Sequence, residues 1–149
     1  MKLTRVRFCD EADQRLRHLK ARTTLTANLL CRIGFCLSLD DPTIPDPAKY
    51  PEDSQREIDR ATLTGQYDAL FLALLRERCV KDGLPTSGKV FEEQFRSHMN
   101  RGVLMLFQRV KTLADLSKLG VGIAPSGTSN TNQLNHYHET VSVMAEAED

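Results

Sequence analysis

The sequence predicts a mainly α fold: a ribbon-helix-helix-like strand-helix-helix unit followed by a small helical bundle. Residues Lys2 to Phe8 alternate with a period of two, a basic segment then runs into an almost wholly apolar one ending near Leu39, and three later stretches carry apolar residues at helical spacing. Those three observations set the fold class.

In the first stretch Thr4, Val6 and Phe8 point one way while Leu3, Arg5 and Arg7 point the other. A lone strand cannot pair its own backbone, so the pattern asks for a partner strand from a second copy. Two such strands make a ribbon that fits the DNA major groove. Asp10 is placed to N-cap the next helix, with Glu11 and Asp13 in its first turn. Ala12, Leu16 and Leu19 form its narrow apolar stripe, and Arg15, Arg17, His18, Lys20 and Arg22 occupy the rest. After a turn at Arg22 to Leu25, a second helix opens at Thr24 or Thr26 and carries Leu29, Leu30, Ile33, Phe35, Leu37 and Leu39. A helix apolar around most of its circumference must be covered on most sides. Gly34 within it costs up to ~1 kcal/mol relative to Ala, which points to a closely approaching helix, here expected to be its symmetry mate.

Four prolines and an acidic bias between Asp40 and Asp53 read as an irregular linker. Helices are then expected at Gly65 to Lys81 (Tyr67, Leu70, Phe71, Leu74, Leu75), Lys89 to Arg101 (Val90, Phe91, Phe95, Met99) and Val103 to Leu119 (Leu106, Val110, Leu113, Leu116), with Gly102 an end or a bend. The domain reading is one DNA-binding and oligomerisation domain, residues 1–120, divided into the strand-helix-helix (1–39), the Pro-rich acidic linker (40–60) and the bundle (61–120). Residues 121–149 are polar and then acidic, with too few apolar groups to order themselves, and are expected to be a disordered tail.

The net charge of zero conceals a segregation. Residues 1–39 hold eight Lys/Arg against three Asp/Glu, residues 40–60 three against seven, and residues 121–149 none against four. A basic head of this density suits a polyanion partner. No run approaches the roughly eighteen apolar residues of a membrane span, so a cytoplasmic protein without a membrane role is expected.

Phosphate-loop, zinc-protease and nucleophile-elbow motifs are absent, so no catalytic residue, metal or cofactor is expected. Cys9, Cys31, Cys36 and Cys79 read as reduced, buried thiols, His98 as a helix-end residue bonded locally, and His136 and His138 as exposed in the tail. Arg5 and Arg7 on the outer strand face have the shape to reach guanine edges, with Lys2 and Thr4 at flanking phosphates; the same residues would equally protect an edge strand. The helix start at Thr26-Ala27-Asn28 offers free N–H groups to a phosphate. A second basic cluster, Arg96, Asn100, Arg101, Arg109 and Lys111, extends this track or pairs with the acidic Asp40 to Asp59 stretch of a neighbouring copy.

Three segments in order, Arg15 to Leu39, Ala61 to Cys79, and Phe95 to Leu106 with Arg109 to Leu116, resemble the DndE proteins of bacterial DNA sulfur modification (phosphorothioation). The resemblance implies a small, largely helical, non-catalytic DNA-binding subunit that self-associates as a homotetramer. It would hold duplex or nicked DNA for the other DNA sulfur modification proteins, which replace a non-bridging phosphate oxygen by sulfur. Its DNA-contacting residues map loosely onto Lys2, Arg5, Arg7, Arg15, Arg17, Lys20 and Arg22. The tail after Gly120 departs from the family's compact pattern. Two alternatives stand beside it: a ribbon-helix-helix transcriptional regulator or antitoxin, favoured by the order of the first elements, and an enzyme, either a DNA nickase or a thiol carrier using Cys31 or Cys36.

Overall fold

The chain was analysed as a computed structural model that describes residues 1–119. The expected tail, 121–149, lies outside the described residues. The described part is mainly helical with one small antiparallel sheet, in the order β1 (Arg5–Arg7), α1 (Asp10–Thr23), α2 (Ala27–Asp40), β2 (Glu57–Asp59), α3 (Arg60–Thr64), α4 (Asp68–Lys81) and α5 (Gly88–Arg109). Short 3-10 turns at Pro47–Lys49, Gly65–Tyr67 and Leu113–Lys118 complete it.

The alternation in β1 sorts as strand geometry demands, with Val6 and Phe8 fully buried and Arg5 and Arg7 exposed. Its partner, however, is not a second copy. β1 pairs antiparallel with β2 of the same chain, in register Arg5↔Asp59, Val6↔Ile58 and Arg7↔Glu57. The expected intersubunit ribbon is therefore corrected to an intrachain one, and the backbone demand behind it is met locally. The 40–60 segment that supplies β2 is a strap rather than a loose linker. Arg78 donates to the carbonyls of Leu39, Asp41 and Thr43, Gln94 to that of Pro45, and Arg96 to that of Tyr50. Arginine and glutamine donors thus satisfy an irregular backbone that has no ladder of its own.

Helix α1 begins one residue earlier than an Asp10 cap implies: Cys9 is the N-cap and Asp10 the first helical residue. The orphan N–H groups there are met from outside, Asp10 by the Asp53 carboxylate at 2.8 Å and Cys9 by the Asn100 side chain at 2.8 Å. At its other end Thr24 takes the left-handed conformation (φ 60°) and its N–H closes on the Lys20 carbonyl. Helix α2 opens after Thr26.

Gly34 does mark a close helix crossing, but the approaching helix is α5 of the same chain, not a symmetry mate. A Cβ on Gly34 would lie 2.6 Å from the Gly102 carbonyl carbon, so the two glycines bring backbone onto backbone. Because Gly102 serves this contact, α5 runs straight through it, and the expected break into two helices does not occur. The third expected helix survives only as the end of α5 and the 3-10 turn Leu113–Lys118. Nor do the later helices pack as a separate bundle. Phe35 of α2 stands between Phe71 of α4 and Phe95 of α5, with ring centroids 5.5 and 5.3 Å apart, so α2 is the centre of one core. On α4 only part of the expected apolar face is used: Phe71 and Leu75 are buried while Tyr67, Leu70 and Leu74 are exposed.

Candidate nucleic-acid interface

The seven basic residues singled out from the sequence fall into three settings. On the sheet, Arg5 Nε lies 3.2 Å from Asp59 and its Nη1 3.7 Å from Glu57, while Arg7 lies 3.8 Å from Glu57. The β1–β2 register places each arginine opposite a carboxylate, so the outward sheet face neutralises itself. Lys2 is exposed, and its backbone N–H donates to Glu92. On one side of α1, Arg17 shares the buried Asp13 carboxylate with Arg56. Burial alone would raise the Asp13 pKa, but hydrogen bonds from Arg17 and Arg56 outweigh it and hold the group below the ordinary carboxylate value.

The third setting gathers cations without cancelling them. Arg15, His18 and Arg22 recur at intervals of three and four residues, which puts them on one α1 face, and that face packs beside the C-terminal half of α5. There the half-buried Phe107 ring has the Arg15 and Arg22 guanidinium carbons each 4.6 Å from its centroid and the Lys111 ammonium at 5.0 Å, with the His18 ring at 6.1 Å. Arg15 has one weak carboxylate contact, Glu11 at 3.9 Å one turn earlier. Arg22, Arg109 and Lys111 make no ion pair among the described residues. Asp115, near Lys111 in sequence, makes no ion pair with its ammonium: it binds the Lys118 ammonium and the Thr112 and Lys111 backbone N–H groups, which hold it well below the usual carboxylate range. Lys20 is exposed on α1 between Arg17 and Arg22.

The second basic cluster divides. Arg96 lies 3.4 Å from Glu52, and Arg101 donates to Ser38 and Thr43 and lies 3.6 Å from Asp41. These pairs are with the acidic stretch of the same chain, which corrects the expectation of a neighbouring copy. Arg109 and Lys111 sit at the end of α5, and Lys111 joins α1. At the α2 start the Thr26 hydroxyl is paired with the Asn28 side chain.

A family sequence model, "DNA sulphur modification protein DndE", matches residues 5–113. This chain belongs to the DndE family. The crystal structure of DndE from Escherichia coli B7A, involved in DNA phosphorothioation modification, superposes with a TM-score of 0.58 at 18% identity, covering 71% of this chain and 98% of that one. At that identity the likeness shows the shared fold. No curated protein sequence matches.

In this DndE chain most of the groups with reactive potential are turned inward. Cys9, Cys31 and Cys79 are buried as expected, whereas Cys36 is exposed, a correction to the reading of four buried thiols. Burial raises the thiol pKa values of Cys9, Cys31 and Cys79, that of Cys31 to about 12, so these three stay protonated at neutral pH. His98 is not at a helix end but midway along α5, buried, with Nδ1 2.9 Å from Ser38 Oγ. No group of three or more metal-ligating side chains is present among the described residues, and no helix there is long and apolar enough to cross a membrane.

The sequence missed Phe107. Its signal was there to be read in part: Phe107 is in the last turn of one helix with Lys111 just beyond it, and Arg15, His18 and Arg22 share a face of another.

Proposed function

We propose that this DndE chain is a non-catalytic, self-associating DNA-binding subunit of the phosphorothioation machinery. In the cytoplasm it holds duplex or nicked DNA for the sulfur-transferring partners. One observation carries the reading: the arginines of the sheet, and Arg96 and Arg101 against the strap, are matched to carboxylates, while Arg22 and Lys111, with Arg109 nearby, make no ion pair among the described residues and join Arg15, which has only Glu11 at 3.9 Å, in a net cationic surface. Uncompensated cations release counterions from a phosphate backbone on contact, which makes binding sequence-independent and salt-dependent. The protonated thiols and the buried neutral histidine support a holding role over a chemical one.

Salt-dependent binding to intact, nicked and single-stranded DNA tests this. The variant R15E/R22E/K111E should lose most of its affinity near 0.1 M salt, with a log–log salt slope shallower by roughly 2–3 units, since each phosphate contact contributes about 0.9. R5E/R7E should change both far less. Unchanged affinity in the first variant would remove the assignment.

Self-association is proposed through the open side of α2 and α4. Leu70 is 54% and Leu74 39% exposed, and Leu74 lines one groove with Cys36 and Leu39. A second copy covers this face, the neighbouring Asp40, Glu77 and Lys81 supplying both signs of charge for a self-complementary contact. Sedimentation should give a multiple of the 16.8 kDa chain mass, and L70E/L74E should give the monomer. A native 16.8 kDa species at micromolar concentration would refute it.

A further inference from the structure

We propose that Phe107 is the positioning residue of a built anion seat, in which its ring holds Arg15, Arg22 and Lys111 ready to take one phosphodiester group. The inference rests on the DNA-holding reading and deepens it by assigning the seat and the residue that organises it.

A long basic side chain loses rotamer freedom when it is fixed on a ligand, so a surface arginine that must be ordered at the moment of binding contributes less than one already ordered. A protein can order an arginine in two ways. A carboxylate does so by an ion pair and cancels the charge, as Asp59 and Glu57 do for Arg5 and as Asp41 does for Arg101. An aromatic face does so through its quadrupole and leaves the full positive charge for a partner. Phe107 does the second, for Arg22 alone and for Arg15 beside its weak Glu11 contact. The two guanidinium carbons are each 4.6 Å from one ring centroid, so they stand no more than about 9 Å apart, although their residues lie seven apart on α1. The seat requires both guanidinium groups on the same side of the ring, where one phosphate accepts a hydrogen bond of about 2.8 Å from each. Lys111 Nζ, 5.0 Å from the same centroid and donating to the Phe107 carbonyl at 3.3 Å, adds a third cation from the segment just after α5. The site is open to its ligand: Arg22 and Lys111 are exposed and the Arg15 side chain is 38% exposed. Phe107 is itself half-buried on α5, next to fully buried Leu106 and one turn beyond fully buried Val103.

The test uses the full chain and a DNA duplex of fixed sequence. F107L keeps an apolar side chain of similar size and every cation, so affinity should fall about three- to tenfold with the salt slope unchanged; F107W, with the stronger quadrupole, should restore native affinity to within twofold. R22Q should instead make the slope shallower by about 0.9. Native affinity in F107L, with R15Q and R22Q both weakened, would overturn the seat and leave the DNA surface standing. Native affinity in R15Q and R22Q would overturn that surface itself. A reading free of DNA and of any folding defect comes from the native protein: the Arg15 and Arg22 Nε–H resonances should show upfield ring-current shifts, and random-coil values would refute the proposal.

Discussion

Replacing Gly102 by alanine should destabilise the protein by about 3 kcal/mol or more, because there is no space for a single methyl group at the α2–α5 crossing. A Cβ built on Gly102 overlaps the Gly34 carbonyl, and one built on Gly34 lies 2.6 Å from Gly102 backbone, against an ordinary contact of 3.4–4 Å. The atoms on both sides are main chain, so no rotamer change relieves the clash and the helices must part by roughly 1 Å. Alanine gains up to ~1 kcal/mol of helix propensity over glycine, which only partly offsets that. The parting opens the packing around Cys31, Phe35, Met99, Val103 and Leu106, which are all fully buried, and lost contact there is what makes the effect large. Thermal unfolding followed by circular dichroism should show a fall of about 10 °C or more for a domain of this size. A shift below about 2 °C would mean that the helices are not in backbone contact. DNA retention should weaken as well, since the same displacement moves Phe107, five residues along α5, away from Arg15 and Arg22 on α1.

What the sequence disclosed and what it hid follow from the range of each interaction. Local periodicity was legible: Val6 and Phe8 inside, Arg5 and Arg7 outside, Leu16 and Leu19 in the core, a helix opening after Thr26, and Gly34 at a close approach. Partners distant in sequence were not. The strand opposite β1 is Glu57-Ile58-Asp59, three residues long, too short to display alternation, and it follows a proline-rich stretch that reads as a linker. That stretch is held by Arg78, Gln94 and Arg96 from later helices, and side-chain bonds to carbonyls leave no pattern in the sequence they hold. Gly102 was misread for a physical reason: glycine ends helices and also permits their contact, and only the position of Gly34 tells the two apart. The candidate interface was legible in part. The basic face of α1 was evident, but its division into Arg17, held by the buried Asp13, and Arg15 and Arg22, gathered on an aromatic ring, depends on Asp13 facing Arg56 and on Phe107 arriving from α5.

Acidification should destabilise the protein well before its carboxylates titrate, because His98 is buried as the neutral base. Ser38 Oγ accepts from Arg101 Nε at 2.7 Å and lies 2.9 Å from His98 Nδ1, while His98 Nε2 is buried with no hydrogen-bond partner among the described residues. Burial first, then the nearby Arg101 and Arg78 charges, push the His98 pKa down from 6.5 to about 3. Once unfolded, the residue takes a proton as pH falls through 6.5, whereas in the native fold it stays neutral until about pH 3. Stability is therefore full above pH 6.5 and declines below it, by about 1.4 kcal/mol per unit, or about 2–3 kcal/mol by pH 4.5 and on the order of 5 kcal/mol by pH 3. The carboxylates held low, Asp13 and Asp41 among them, lose their contribution only as pH falls below their ordinary value of 3.8, so the upper part of the acid slope belongs to histidine. Urea unfolding at pH 7.5 and 4.5 should show this loss in the native chain and a loss smaller by about 2–3 kcal/mol in H98Q, which has no proton to take up at that site. Should H98Q not fold, the native protein still decides the matter: the His98 Cε1 resonance should keep its neutral-ring shift down to pH 4.5, and a transition near pH 6.5 would show that the ring is reached by water and that the Ser38–His98–Arg101 network does not hold it.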